Sequence, residues 1–224
     1  MGNLRVYEEL MLLALCEEKG TMSTSFLNYA VSGALLSELM FMKRLQIEDS
    51  KKKLVNIVDA SATGDALLDE CLEKISTAKR RGSMKVWVQR LSSIKELHHK
   101  VARRLAEQKI VEATEDKVLW LFTRRVYPEI NPIPEKELRN RIRNAVLSSE
   151  SKVDPRTTVL IALAKSAALL PQVFSKQELK QHKERIEQIV AGDLMGDVTK
   201  EVIAACQAAI MVAVMIPAIT VATT

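Results

Sequence analysis

The chain has 224 residues, 47% hydrophobic and 27% charged, a globular balance that excludes a disordered polymer and leaves enough material for a sizeable core. Seven glycines and 4% aromatics argue against turn-rich β architectures and favour a mainly helical fold. The net charge of +5 is uneven: Lys79 to Arg104 carries nine Lys or Arg against one acid, Glu96, so that stretch is +8 and the remainder −3. Such a field suits an anionic partner, whether membrane headgroup, nucleic acid or acidic protein, or else it is a solvated helix face.

Val6 to Glu18 places apolar residues on a helical stripe, and Ser25 to Arg44 continues it, with Ser32, Gly33 and Ala34 allowing close packing. Leu10–Leu15 is short and flanked by acids, so it does not read as a signal peptide. Leu45-Gln46-Ile47-Glu48 alternates, Asp49–Lys53 reads as a polar turn and Leu54–Val58 returns, which predicts a β-hairpin. Helices are predicted at Asp65–Ser76, Met84–Leu91 and Ile94–Gln108. A second hairpin is predicted from Ile110–Ala113, a Thr114–Lys117 turn and Val118–Phe122, with Arg125 in the turn after it. A helix followed by such a wing outlines a winged-helix unit and keeps a nucleic-acid reading open.

Three prolines stiffen the connector Tyr127–Pro134, which leads into a helix at Glu135–Leu147. Asp154-Pro155 is an N-cap followed by a first-turn proline, and Ser175 with Glu178 forms a capping box. Gly192 and Gly196 separate that helix from the last one. Val202–Ala222 is almost wholly apolar and long enough to span a bilayer. Its Ala and Val content and its lack of flanking Trp, Tyr or basic residues favour a buried core helix. No linker divides the chain, so residues 1–224 read as one domain.

No P-loop, GxSxG, HExxH or GxGxxG is present, which points away from an enzyme, and no cofactor is expected. Asp65, Asp69 and Glu70 are the densest acidic group, and their place in a first helical turn suits the helix dipole better than catalysis. Cys16, Cys71 and Cys206 are far apart and fit a reduced, cytoplasmic chain, while His98, His99 and His182 are too few and scattered for a metal site. His98 and His99 are adjacent on a helix and point in different directions, so they do not chelate one ion together, and a facing anion is what would bring their titration near neutral pH.

Several strings together resemble the Golgi phosphoprotein 3 family. Thr63-Gly64-Asp65-Ala66-Leu67-Leu68-Asp69-Glu70 is similar to its TGDxLLDE signature. Glu9–Leu15, Ser25-Phe26, Glu38-Leu39, Arg44–Glu48, Arg104–Val111 and Asn144–Leu147 follow the family in order over nearly the whole chain. The resemblance implies a helical domain around a hydrophobic C-terminal central helix. It also implies a non-enzymatic, peripheral membrane protein that binds phosphatidylinositol 4-phosphate at the cytosolic face of the Golgi. Such proteins grip the cytosolic tails of glycosyltransferases and link them to the coatomer.

In the family's headgroup pocket a Trp follows the Ser-Phe pair, an Arg comes a few residues later, and a basic pair is spaced i, i+3 on a helix. Here the Trp position is Leu27, the Arg has no counterpart and the pair falls on Lys95 and His98. Lys100 and Arg103 are expected to add phosphate contacts from the same helix, and Arg125 only general charge. The family's arginine-rich N-terminal tail is not found ahead of the first helix. The expected partners are therefore an anionic phospholipid membrane and the tails of membrane enzymes, with a homo-oligomer possible. A winged-helix nucleic-acid binder and a structural oligomer remain as alternatives, although no base-reading constellation stands out and no nucleic acid is expected.

Overall fold

The computed structural model describes residues 4–15, 26–118 and 122–195. Among them the helices are α1 (Val6–Ala14), α2 (Leu27–Phe41), α3 (Ala66–Ser76), α4 (Met84–Ser92), α5 (Leu97–Glu107), α6 (Ile133–Leu147), α7 (Pro155–Ser166), α8 (Lys176–Gln181) and α9 (Lys183–Ala191). Two antiparallel ribbons, β1 (Leu45–Ile47) with β2 (Val55–Ile57) and β3 (Thr114–Val118) with β4 (Phe122–Val126), complete a mainly helical fold.

A helix that is apolar on every side must be covered on every side. That describes α1, which is buried along its whole length, most of α2 and eight consecutive residues of α7. These three pack on one another and form the centre. Ser32, Gly33 and Ala34 are all buried on α2, and α4 and α5 both pack against that helix. The amphipathic α6 and α9 cover α7 with apolar faces such as Leu138, Ile142, Ile186 and Ile189.

Local sequence sets most boundaries. Asp154 accepts from Thr157 N at 2.9 Å, and Pro155 occupies the first helical turn. Ser175 and Glu178 close their capping box at 3.2 and 2.8 Å. The helix they open is broken at His182 into α8 and α9, and α9 stops at Gly192, whose φ of 86° is left-handed. The first hairpin pairs Leu45 with Ile57 and Ile47 with Val55, and Val55 N bonds to Gly82 O at 2.9 Å, which ties the ribbon to the start of α4.

The second hairpin differs from the sequence expectation. The expected turn Thr114–Lys117 is itself strand, and β4 begins at Phe122, where the expected returning strand ends. The register sets Glu115 opposite Arg125, a pairing of opposite charges that the alternation of apolar residues alone does not reveal. Ile110–Glu112 lies next to Pro128–Ile130, with Glu112 N bonded to Pro128 O at 2.9 Å, and so prolongs the same ribbon. The predicted helix Val202–Ala222 lies outside the described residues. Among those described, no helix is long and apolar enough to cross a membrane.

Buried carboxylates join the helices. Asp65 is wholly buried, and its Oδ1 accepts from Leu67 N at 3.0 Å and Leu68 N at 3.2 Å to cap α3. Its Oδ2 accepts from Tyr7 OH at 2.5 Å on α1 and pairs with Arg5 at 3.0 Å and Arg104 of α5 at 3.1 Å. Burial, the neighbouring Glu8 and the bond to Asp65 push the Tyr7 phenol above its ordinary range, so it stays a donor. Glu38 of α2 plays a similar part: it accepts from Val6 N at 3.0 Å and from both terminal nitrogens of Arg156 on α7.

Removing one partner of such a buried cluster leaves the others uncompensated. Asp65→Ala is therefore expected to lower unfolding stability by about 3–5 kcal/mol. Asp69→Ala, which loses only contacts to Thr63, is expected to cost about 1 kcal/mol in the same urea titration. Equal losses for the two would contradict a clamp at Asp65.

Candidate functional site

The signature around Thr63–Glu70 turns out to be architecture. Gly64 has φ of 79°, a left-handed conformation that strains other residues. Asp69 accepts from the Thr63 hydroxyl and amide, both at 2.7 Å, and those bonds hold its carboxyl below the usual range. With Asp65 capping α3, these two carboxylates are committed to the turn. Cys71 is buried and its thiol is pushed up to about 12 by burial, so it is not a nucleophile near neutral pH.

The positive stretch divides on the surface into cations that hold the fold and cations that do not. Arg104 is spent on Asp65 and Glu8. Lys100 donates to Glu70 Oε2 at 2.5 Å and so ties α5 to α3. Lys95 does not lie in α5, as the sequence suggests, but in the exposed turn before it, because Glu96 takes a left-handed φ of 56° and delays the helix to Leu97. Lys95 has no carboxylate partner among the described residues.

Glu96 is the hinge of this face. Its Oε1 accepts from Arg125 of β4 at 2.5 Å, and its Oε2 lies 3.5 Å from Arg103 of α5. The hydrogen bond from Arg125 is the main reason its carboxyl is held below the usual range. Arg125 is therefore strand rather than turn, and it belongs to this cluster instead of standing apart as general charge.

Next to it, His98 Nδ1 meets Asn28 Oδ1 at 2.9 Å, so with that amide orientation Nδ1 carries the proton. His99 Nδ1 meets Tyr127 OH at 3.0 Å. The two imidazoles find different partners yet lie 4.4 Å apart between ring centroids. Burial pushes the pKa of both down from the ordinary 6.5, with Glu96 opposing the shift for each. Leu27, the first residue of α2, is 2% exposed and packs in the core beside Asn28.

Arg103 and Arg125 thus pair with Glu96, His98 feels its charge, Lys95 precedes it in the same turn, Leu27 is buried and Lys100 is turned toward Glu70. Sequence reasoning missed Glu96 as an anchor and Arg125 as a member. The available signal was that Glu96 is the sole acid in its stretch, and that Glu115 opposes Arg125 only after the hairpin register is corrected. The larger cleft between α1, α2, α6 and α7, of about 1020 Å³, is different in character. Its arginines are already matched, Arg141 to Glu9 at 2.8 Å and Arg156 to Glu38, although burial still raises the pKa of Glu9.

The profile of the Golgi phosphoprotein 3 (GPP34) family matches residues 6–206. Among curated proteins, the chain is 26% identical over 208 residues to vacuolar protein sorting-associated protein 74 of Eremothecium gossypii. That match covers 77% of this chain and 62% of the relative's length. The family match runs through the α1 stripe, the Asp65 turn and the α5 face in a single stretch, and the chain accordingly belongs to the Golgi phosphoprotein 3 family.

Proposed function

We propose that this chain is a non-enzymatic, peripheral membrane adaptor of Golgi trafficking that reads a phosphorylated lipid headgroup at the face around Glu96. Family membership and the vacuolar sorting relative support the trafficking role. The observation that carries the headgroup reading is the imbalance around Glu96: it serves both Arg103 and Arg125, Glu115 stands opposite Arg125 on the neighbouring strand, and Lys95 has no carboxylate partner among the described residues, so three cations share two carboxylates. A phosphomonoester brings more charge and more acceptor oxygens than that carboxylate and can draw both guanidiniums toward it. Phosphatidylinositol 4-phosphate, the lipid implied by the family, offers this chemistry. With a buried Leu27 where the family has an aromatic residue, selectivity among acidic lipids is expected to be weaker than in the family at large. Glycosyltransferase tails and the Golgi cytosolic face are the corresponding partner and place.

Binding to vesicles of phosphatidylcholine with phosphatidylinositol 4-phosphate, at near-physiological salt, tests the reading, because close contacts then dominate over long-range attraction. Lys95→Ala is expected to weaken binding about fivefold. Lys136→Ala, which removes an exposed charge on α6, is expected to change it less than twofold. Equal effects, or tighter binding to duplex DNA than to the vesicles, would contradict a headgroup site.

Glu96→Gln removes the resident counter-ion. Binding to phosphatidylserine vesicles is expected to rise about fivefold, while the preference for the phosphomonoester lipid falls. An unchanged preference would show that Glu96 does not compete with the headgroup.

The histidines give a pH signature. The groups that face them are Glu96, Arg103, Arg125, Tyr127 and Asn28. Both histidines have pKa values depressed in the folded chain, so the stability their neutral forms contribute is present above the ordinary 6.5 and is lost as pH falls below it through the lower folded values. A bound phosphate favours the protonated form of His98, so affinity is expected to rise as pH drops from about 7.5 to about 5.5. In His98→Gln that rise should shrink; a profile identical to the parent would exclude His98 from the contact.

A further inference from the structure

A second concentration of cations lies away from the Glu96 face. The turn between α3 and α4 and the flanks of both helices form a pocket of about 410 Å³ lined by Lys74, Ala78, Lys79, Arg80, Trp87 and Arg90. Four of the six lining residues are cationic, and no carboxylate is among them. Glu70, 4.0 Å from Lys74, is already engaged by Lys100 at 2.5 Å. The side chains of Lys79 and Arg80 are exposed and have no acidic partner among the described residues.

The pocket has a built wall. Trp87 is 1% exposed and fixed in the core. The Arg90 guanidinium carbon lies 4.7 Å from the Trp87 ring centroid, and Arg90 Nη1 donates to the Arg80 carbonyl at 3.0 Å. Stacking and the hydrogen bond hold the planar fork in place before any ligand arrives. The Trp87 Nε1–H is buried and meets no acceptor among the described residues. Like charges held together without a counter-ion repel, and an anion relieves that repulsion. The volume is at the small end for a ligand pocket, so it fits a single headgroup-sized molecule.

We infer that this pocket is an anion site of its own, which takes a phosphate ester. None of Lys95, Glu96, Arg103 and Arg125 lines it, so the site stands whether or not the α5 face binds lipid. The phosphate could come from a lipid headgroup or from a soluble compound, since the chemistry is shared.

Trp120→Phe leaves Trp87 as the single tryptophan and makes its emission a local reporter. The full chain would be titrated with inorganic phosphate, and separately with phosphatidylcholine vesicles with and without phosphatidic acid. A saturable change in Trp87 emission is expected. It should be weakened about fivefold in Lys79→Gln and in Arg80→Gln. It should stay within twofold in Lys85→Gln, an exposed cation of α4 outside the pocket. A response to phosphate alone upholds the site with a soluble ligand, and a response to phosphatidic acid vesicles alone upholds it with a headgroup. No saturable response to either, or equal weakening by Lys85→Gln, overturns it. Calorimetric titration of phosphate into Lys95→Ala and into Lys95→Ala with Arg80→Gln, both retaining Trp120, gives the same comparison without the reporter substitution.

Discussion

A single buried carboxylate, Asp65, sets the geometry on which the rest depends. It caps α3, holds Tyr7 and Arg5 at the start of α1, and accepts Arg104 from the last turn of α5. The cost of burying that charge is offset by two arginines and three hydrogen-bond donors converging on two oxygens. Because Arg104 is anchored inside, the helix can turn only one way. Val101 and Leu105 face the core, Arg103 faces outward, and Lys95 and Glu96 lie in the turn just before the helix. The signature turn thus orients the helix that carries the cations.

A stretch with eight excess positive charges would be expected to repel itself, and the structure shows how that is managed. Arg81, Lys100, Arg103 and Arg104 each reach a carboxylate, and Arg90 stacks on Trp87. Lys79, Arg80, Lys85 and Lys95 have no acidic partner among the described residues. The paired cations orient helices, and the unpaired ones leave a net field at two places, beside Glu96 and at the α3–α4 turn. Exposed pairs contribute little stability in water, so giving up Glu96 for a more highly charged anion costs the fold little.

Much of the fold is legible in the sequence because its signals are local. Asp154-Pro155 and Ser175 with Glu178 announce helix starts, and the alternation from Leu45 to Val58 announces the first hairpin with its turn correctly placed. The second hairpin is not, since its strands are charged and its register rests on cross-strand partners that composition cannot order. The observed register is what brings Arg125 to Glu96. Glu96 is hard to foresee for a related reason: a left-handed backbone is uncommon at a glutamate and nothing in its own propensity announces it between the buried Ile94 and Leu97. Lys95 and His98 could be named from the family resemblance, but whether each is free or engaged is a property of neighbours from α2 and β4.

The most direct measurement is a ¹H–¹⁵N NMR titration of the full chain with a water-soluble short-chain phosphatidylinositol 4-phosphate at near-physiological salt. If Glu96 and its cations form one site, the shifts concentrate on the turn at Lys95 and Glu96, on His98, His99 and Arg103, and on Arg125 across the gap. Arg141 and Arg156, already matched in the other cleft, stay where they were. Shifts spread evenly over every exposed Lys and Arg, with Glu96 and Arg125 unmoved, would contradict a headgroup site on this face.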